Sequence, residues 1–274
     1  MWIKKSEIEE FSQNIRKIIN GQDIDLRVSH EGMWNILKND VHILAKMKNE
    51  QVNILQHDKD VLKDTLADIS HQLKTPLTSM MIMVDLLEEA PPEKQMEFLQ
   101  NIKTGLARTE WLVSALLKRA KLEAGAVVFL RDSVRSSTLI EQAMESLHIQ
   151  LELKSQRIEI LNEVELHCDK RWTAEALGNI IKNASEHSPN GTTIRIESGT
   201  NPISTWMSVT DSGSGLTTAQ VAKLFRRFEG SQNGTGYGIG LPLALAIMRG
   251  QDGDIEVIGG GKGAGASFTL KLFK

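Results

Sequence analysis

The chain has 274 residues, a length that suits two or three domains rather than one. Hydrophobic residues make up 41% of it, which excludes general disorder. With 32 basic and 35 acidic residues the formal net charge is -3, and no run of Lys or Arg marks a nucleic-acid partner. The single cysteine, Cys168, allows no internal disulfide and fits a reducing compartment, so we expect a small buried apolar residue.

The sequence offers no segment that reads as a membrane span. No window approaches the roughly 18 uninterrupted apolar residues that a spanning helix needs. The most apolar stretch, residues 80–87, is interrupted by Asp85, and residues 1–5 lack the apolar run of a signal peptide. We therefore expect this material to be soluble as given.

The N-terminal part reads as helix. Residues 5–20 repeat apolar side chains at spacings of three and four, which predicts a short amphipathic helix that ends at Gly21. A second pattern of this kind begins near Glu31 and runs without Gly or Pro into residues 58–75. So long a helix predicts a coiled coil that needs a second chain, and we expect a homodimer.

A histidine lies near the end of this second pattern. The apolar stripe of residues 58–75 leaves His71 on the outer side, and Thr75, four residues on, shares its face. Pro76 has no N–H, so we expect the helix to bend there. A lone surface histidine is most often solvated and inert, so whether His71 has a function must be judged from motifs further along the chain.

A second long helix follows the first. Pro91 and Pro92 are expected to end the first helix and open the next, which should end at Gly125. The two helices form an antiparallel hairpin with more apolar surface than it can bury alone. Two hairpins make a four-helix bundle, so dimerisation would complete this core.

After Gly125 the pattern changes to shorter segments. Strands that are adjacent in sequence imply hairpins, and the helices are isolated, which predicts an α+β layer with one mixed sheet covered by helices on one face. The predicted strands are residues 126–130, 157–161, 192–197, 207–210, 255–258 and 267–273, and the predicted helices are residues 136–154, residues 169–186, a helix before a Gly-rich stretch, and one from about Gly240.

Two asparagines stand four apart in the predicted helix 169–186. Asn179 and Asn183 therefore project from one helical face. An amide oxygen is a neutral, hard ligand, which suits a Mg²⁺ ion already neutralised by phosphates. Taken alone, two such residues are more often ordinary surface polarity.

A carboxylate follows the predicted strand 207–210. Asp211 precedes Gly213 and Gly215, an arrangement in which the carboxylate could accept a hydrogen bond from an amino group while the glycines let a flat ring approach the backbone. A tight turn is the alternative interpretation of this stretch alone.

Four alternate glycines lie between residues 234 and 240, directly before a predicted helix. Such glycines expose backbone N–H groups at a helix N-terminus, where the helix dipole also favours anions. The pattern therefore favours a phosphate cradle over a flexible loop.

Taken in order, these motifs resemble those of the sensor histidine kinases of two-component systems. The ATP-binding domain of that family belongs to the superfamily of gyrase, Hsp90, histidine kinases and MutL. The resemblance covers roughly residues 58–274. The matching motifs are His71 to Pro76, Asn179 to His187, Asp211 to Gly215, Leu224 to Phe228, and Gly234 to Gly240.

The resemblance implies a multidomain protein. Its fold would be an α-helical dimeric four-helix bundle, with one helical hairpin per chain, followed by an α+β ATP-binding sandwich of the Bergerat type. The implied domains are N-terminal signal-relay helices or coiled coil in residues 1–57, a dimerisation and histidine phosphotransfer domain in 58–124, and a catalytic ATP-binding domain in 127–274.

The implied activity is ATP-dependent autophosphorylation of His71, with ATP and Mg²⁺ as the cofactors. The phosphoryl group would then pass to an Asp in the receiver domain of a response regulator, and the opposite conformational bias would favour dephosphorylation of that regulator. The family further implies a homodimer and the cytoplasmic portion of a membrane-anchored bacterial protein, with the anchor upstream of this sequence.

The resemblance also assigns roles to residues. His71 would be the phosphoacceptor, with Gln72 and Thr75 as further catalytic residues, and Asn183 would be the magnesium ligand. Asp211 would read the adenine. The implied nucleotide-binding residues are Asn179, Asn183, His187, Asp211, Gly213, Gly215, Gly234, Thr235, Gly236, Tyr237, Gly238, Ile239, Gly240 and Leu241.

The chain departs from the family at the acceptor helix. Glu or Asp usually follows the phosphorylated histidine as the base that takes the imidazole proton, whereas this chain has Gln72. An amide can orient the ring but cannot accept that proton at neutral pH, so we expect attack on the γ-phosphate to be weakened rather than prevented.

Further departures concern the nucleotide site. Glu186 and Gly230 stand where Lys and Arg are common, which removes positive charge near the phosphates. Ser267, next to the last Gly-rich motif, is a candidate on the adenine side. Candidates to compensate for the lost charge are Arg226, Arg227 and Lys182. Two alternative functions stay open: a catalytically weak kinase-like scaffold, or another ATPase of the superfamily.

Overall fold

The computed structural model describes residues 4–19, 22, 24–26, 33–225, 238–261 and 265–274, without the side chains of residues 33, 57, 58, 61, 62 and 89. The chain divides into two compact units, Met1–Ser70 and His71–Lys274. The domain limits expected from the sequence, after residues 57 and 124, stay predictions.

The first unit contains the two N-terminal helices that the sequence predicts. Helix α1 spans Lys5–Ile19, and helix α2 spans Met33–Glu89 and continues into the second unit. Phe11 is buried and meets the ring of Trp34 edge-on, with ring centroids 5.1 Å apart. The apolar face of α1 is therefore covered at its centre.

The second unit begins with the predicted helical hairpin. Pro76 lies within α2 without ending it, and the bend expected there stays a prediction. Helix α3 spans Pro92–Glu123 with Pro91 as its N-cap, which confirms the role expected of the two prolines. Met80 packs on Gly105, where an added Cβ would lie 2.8 Å from the Met80 Cγ. Several large apolar side chains of α2 and α3 are exposed, among them Leu77, Met81, Val84, Met96, Leu99 and Leu106.

The segment after α3 differs from its prediction. Residues 126–130 form no strand; the first strand is β1, Arg131–Arg135, which pairs antiparallel with β3, Glu165–Asp169. Side-chain contacts hold the segment instead, since Phe129 packs edge-on against Trp172 at 6.0 Å. The predicted strand at 126–130 was therefore wrong.

The main sheet has five strands. They are β2 (Arg157–Leu161), β4 (Thr193–Thr200), β5 (Ser204–Thr210), β6 (Gly253–Ile258) and β7 (Ser267–Phe273). Their spatial order is β2-β4-β5-β7-β6, with β2 and β4 parallel and every other pair antiparallel. The mixed sheet and its two hairpins, β4–β5 and β6–β7, confirm the prediction.

Helices α6 (Lys170–His187) and α8 (Gly240–Arg249) pack on one face of this sheet, and α4 (Ser136–Met144) packs on α6. The other two helices of this part of the chain are α5 (His148–Leu153) and α7 (Thr218–Val221). The single helix predicted over residues 136–154 is two helices, because the chain turns between them and brings both Leu147 and Leu151 into the core.

The core lies between the helices and the inner face of the sheet. Ile194, Ile196 and Val209 from the strands, and Leu177 and Ile180 from α6, are completely buried. Burial of one such side chain stabilises the fold by about 1.5–3 kcal/mol. Cys168 is also buried, as the sequence predicts. Within the described residues, no helix is both long and apolar enough to span a bilayer.

Candidate nucleotide site and acceptor helix

Asp211 is the most firmly held polar residue of the candidate site. It follows β5 directly and is 7% exposed. Its Oδ1 atom accepts backbone hydrogen bonds from Gly213 at 2.8 Å and Ala266 at 3.0 Å, and its own N–H donates to the Ala266 carbonyl at 2.9 Å. No hydrogen bond from the described part of the chain reaches Oδ2, so the carboxylate is fixed with one oxygen left for a ligand.

Glycine residues lie around this carboxylate. Gly215 has φ +75°, and a Cβ added there would lie 1.9 Å from the Gly261 carbonyl oxygen. Gly265 has φ +70°, and its added Cβ would lie 2.0 Å from the Asp211 carbonyl oxygen. Only glycine fits at either position, because backbone carbonyls fill the space that a side chain would need.

The end of α6 touches the same turn. A Cβ added at Gly213 would lie 2.7 Å from the His187 carbonyl oxygen. Ser212 donates its N–H to the Ser188 Oγ at 3.1 Å. The structure therefore brings together two motifs that lie more than twenty residues apart in the sequence.

Helix α6 is capped at both ends by side chains. Asp169 accepts from the N–H groups of Arg171 and Trp172 at 3.0 and 3.1 Å. At the other end, the buried Gln156 donates through Nε2 to the carbonyls of Ser185 and Ser188, both at 3.1 Å. Gln156 thus supports the site, and sequence reasoning missed it because a glutamine before a strand carries no recognisable pattern.

The two asparagines of α6 lie on one half-buried face, as predicted. The Asn179 amide donates through Nδ2 to the Glu175 carbonyl at 3.1 Å. Its Oδ1 would lie 3.1 Å from a Cβ at Gly240, the first residue of α8. The N-terminus of α8 therefore lies directly against the asparagine face.

The start of α8 has the features of an anion site. Its N-cap residue, Ile239, makes no side-chain capping bond, and no hydrogen bond to another described residue is made by the N–H groups of Gly240 and Leu241. The next residue, Pro242, has no N–H. The side chains of Ile239 and Leu241 are buried, and Gly238 has φ +63°. Only backbone from these residues can face a phosphate. The remaining predicted cradle residues, Gly234, Thr235, Gly236 and Tyr237, lie outside the described residues.

His71 is exposed on α2, as predicted. Thr75 donates its hydroxyl to the His71 carbonyl at 3.1 Å, so both residues share one face of the helix. Gln72 is half-buried, and Leu73 packs against the core of the second unit.

The structure describes some of the residues at which this chain departs from the usual motifs of the nucleotide site. Burial raises the pKa of the Glu186 carboxyl, while Lys182, His187, Lys154 and Arg108 partly oppose that rise. Ser267 is not on the adenine side: its hydroxyl joins those of Ser208 at 2.8 Å and Thr210 at 3.1 Å on the outer face of the sheet. The neighbouring Ala266, through its backbone, is what contacts Asp211. Arg226, Arg227, Phe228 and Gly230 lie outside the described residues.

The donor set suits a metal that arrives with phosphates. In the described ranges, no group of three or more His, Cys, Asp or Glu side chains could hold a metal ion. Asn183 offers a neutral amide oxygen on the face beside α8, and this type of ligand fits a Mg²⁺ ion whose other ligands are phosphate oxygens and water.

Two family models match the chain: the His Kinase A (phospho-acceptor) domain at residues 61–125, and the histidine kinase-, DNA gyrase B-, and HSP90-like ATPase at residues 168–274. The chain belongs to the sensor histidine kinase family.

Curated relatives agree with this assignment. The sensor protein CreC of Escherichia coli is 28% identical over 181 residues, which are 65% of this chain and 38% of CreC. The histidine-protein kinase/phosphatase MprB of Mycobacterium sp. (strain KMS) is 26% identical over 249 residues, 84% of this chain and 47% of MprB. The chain therefore spans less than half the length of these two relatives.

Solved structures share the fold. The Acinetobacter baumannii histidine kinase AdeS superposes with a TM-score of 0.63 at 21% identity, covering 74% of this chain and 97% of the AdeS chain. The histidine kinase ThkA, in complex with the response regulator protein TrrA, gives a TM-score of 0.65 at 19% identity, covering 83% and 66%.

Proposed function

We propose that this chain is an ATP-dependent protein-histidine kinase that phosphorylates His71. The observation that carries the proposal is the Asp211 carboxylate, which is buried and held through Oδ1 by two backbone N–H groups, while no described residue forms a hydrogen bond with Oδ2. A carboxylate oxygen fixed in this way would accept a hydrogen bond from the adenine amino group, while Gly213 and Gly215 let neighbouring backbone pack closely around the turn that holds it.

The phosphates of ATP would lie at the other end of the same site. The N–H groups of Gly240 and Leu241 at the start of α8 would bind them, with the amide of Asn179 alongside. Asn183 would hold the Mg²⁺ ion, which when bound neutralises charge on the phosphates. His187 lies at the end of α6, next to Gly213, and would border the base.

The reaction joins this site to the acceptor helix. The imidazole of His71 attacks the γ-phosphorus, so that a P–N bond forms as the bond to the β-γ bridging oxygen breaks and ADP leaves. Positioning supplies most of the catalysis in phosphoryl transfer. Gln72 would orient the ring through its amide oxygen, and the imidazole proton would pass to water.

We further propose that the phosphohistidine passes its phosphoryl group to an Asp of a response regulator receiver domain. The support is the ThkA structure, in which another histidine kinase of this fold is in complex with the response regulator protein TrrA. The exposed apolar residues of α2 and α3 support a homodimer whose two hairpins form the four-helix bundle. Phosphatase activity toward the regulator, with Thr75 as a participant, is supported by the name of MprB, a kinase/phosphatase.

We propose the cytoplasmic portion of a membrane-anchored bacterial protein as the location. Two observations support it: CreC is named a sensor protein, and the buried free thiol of Cys168 suits a reducing compartment.

The test is incubation with γ-labelled ATP and Mg²⁺. Wild type should acquire an acid-labile, alkali-stable label that His71→Ala abolishes. His148→Ala, which removes an exposed histidine of α5, is the matched control and should keep the label. ATP binding without any label would favour the kinase-like scaffold, and ATP hydrolysis that persists in His71→Ala would favour another ATPase of the superfamily.

A further inference from the structure

Helix α3 of the hairpin packs against α8, and two of its side chains, Trp111 and Lys118, reach α6. The ammonium of Lys118 contacts both carboxylate oxygens of Glu175, at 2.6 and 2.8 Å. Leu112 and Ala115, on the same side of α3, are buried. This contact places α3 next to the helix that carries the asparagines of the nucleotide site.

One lysine lies between α3 and those asparagines. At 100° per residue, the α6 side chains from Glu175 to Glu186 that face this way, including Asn179, Lys182 and Asn183, fall within an arc of about 100°. The Lys182 ammonium lies over the ring of Trp111 on α3, 4.7 Å from its centroid. Lys182 therefore borders both the hairpin and the predicted phosphate site.

The present contacts of Lys182 leave its ammonium group able to move toward another partner. Its Nζ lies 4.0 Å from the Glu186 carboxylate, beyond ordinary hydrogen-bond length, and its side chain is 38% exposed. An ammonium on a flexible four-carbon stem has three donors and can turn toward a new anion.

Lys154, one of the other basic side chains near this end of α6, is already engaged. Lys154 donates to the carbonyls of Ser185 and Glu186, at 2.6 and 3.3 Å, and so caps the helix. Glu186 places an acidic group on the face of α6 that would contact the phosphates of the nucleotide. Between Glu175 and Glu186, Lys182 is the basic residue on the asparagine face of α6.

We propose that Lys182 binds the phosphates of the nucleotide, and that the ring of Trp111 holds the same ammonium when no nucleotide is bound. Phosphate and Trp111 then compete for one cation, so triphosphate binding weakens the contact between α6 and α3 at this end. The inference rests on the proposed function, because it assigns a further binding residue to the same site.

The expected effects follow from the two contacts. Because Lys182→Ala removes a hydrogen bond between charged groups, it should weaken the binding of ATP by about tenfold. Adenosine has no phosphate, so it should bind equally to both proteins. Trp111→Leu keeps apolar bulk but removes the ring that competes, and should strengthen ATP binding by about twofold to fivefold. In the Lys182→Ala background, Trp111→Leu should add nothing.

The experiment is calorimetric titration of the full chain with Mg²⁺ and either a non-hydrolysable ATP analogue or adenosine. The proteins are wild type, the two single variants, the double variant, and Lys182→Arg, which should retain most of the affinity. Lys170→Ala, at the exposed far end of α6, is the matched control for removal of a lysine. Circular dichroism melting verifies that each variant folds.

The outcomes separate this inference from the proposed function. Wild type that binds neither ligand overturns both. Wild type that binds the ATP analogue while Lys182→Ala binds it equally well overturns only the role of Lys182, as does an equal loss for the analogue and adenosine. A gain from Trp111→Leu that persists without Lys182 overturns the competition.

Discussion

Ser212 donates its N–H to the Oγ of Ser188 at 3.1 Å, which joins the turn after β5 to the residue that ends α6. Gln156 also binds this end of α6, because its Nε2 atom donates to the Ser188 carbonyl. Hydrogen bonds therefore connect the turn of Asp211, which is expected to bind the adenine, to α6, which is expected to bind the phosphates.

The first prediction concerns that carboxylate. In Asp211→Asn one amide oxygen can still accept from Gly213 and Ala266, so the fold should survive. The other position becomes an NH₂ donor that meets the donor of the adenine amino group, and the loss of a charged hydrogen bond should weaken ATP binding by about 10-fold to 100-fold. Calorimetric titration with ATP and Mg²⁺ measures this loss.

Asp252→Asn is the control for the same chemical change. Asp252 pairs with Arg131 at the protein surface and has φ +58°, a conformation that Asn tolerates. Its variant should bind ATP as wild type does. Equal affinities of Asp211→Asn and wild type would show that Asp211 does not contact the base.

The second prediction concerns Gly215. In Gly215→Ala the new methyl carbon would meet the Gly261 carbonyl, so the backbone must move or the protein must lose stability. Gly191→Ala isolates the effect of conformation, because Gly191 has nearly the same φ, +76°, but no atom within 4 Å of an added Cβ. Thermal melting should show a modest loss for Gly191→Ala, about 1 kcal/mol, and a larger one for Gly215→Ala. Equal losses would remove the steric argument.

Much of the architecture was predictable from local chemistry. Pro91 and Pro92 mark the ends of two helices because one lacks a donor that the ending helix needs and the other suits a first turn. The strands β2 and β7 match their predicted limits, because apolar and polar residues alternate along both.

What the sequence did not reveal depends on contacts between distant residues. Residues 126–130 are rich in strand-forming side chains, but Phe129 is taken up by Trp172. Gln156 and Ala266 act on residues far along the chain, through an amide and through the backbone. Ser267 has a plausible residue type for the site, yet strand alternation turns it to the outer face of the sheet.

The third prediction concerns Thr75. Its hydroxyl lies on the His71 face of α2 and bonds only to a backbone carbonyl of its own helix among the contacts described, so Thr75→Ala should change stability by no more than about 0.5 kcal/mol. We expect dephosphorylation of a phosphorylated receiver domain to fall sharply while labelling of His71 persists. Thr78→Ala, also exposed on α2, serves as the control. Undiminished dephosphorylation by Thr75→Ala would exclude its role.

The fourth prediction concerns the residue after the phosphoacceptor. Gln72→Glu places a carboxylate where it can take the imidazole proton, and general-base catalysis caps the gain in the initial rate of His71 labelling at about 10²-fold to 10⁴-fold. The matched control is Gln100→Glu, which makes the same change at an exposed position of α3. An initial rate equal to that of wild type would refute the idea that a missing base limits the reaction.

The fifth prediction follows from the raised pKa of the Glu186 carboxyl, which burial causes and nearby cations only partly offset. A carboxyl whose folded-state pKa lies above its unfolded value binds more protons in the folded protein. Its contribution to stability is complete below the unfolded pKa, near 4.3, and is lost as pH rises through the folded pKa. Glu186→Gln removes this titration.

The melting temperature of Glu186→Gln, minus that of wild type, should therefore increase as pH rises from about 4 toward neutrality. Glu97→Gln, at an exposed position of α3, is the matched control for removal of a carboxylate. Melting curves between about pH 4 and pH 8 measure both differences. If the difference for Glu186→Gln stays constant or falls with pH, the buried carboxyl does not prefer its protonated form in the folded protein.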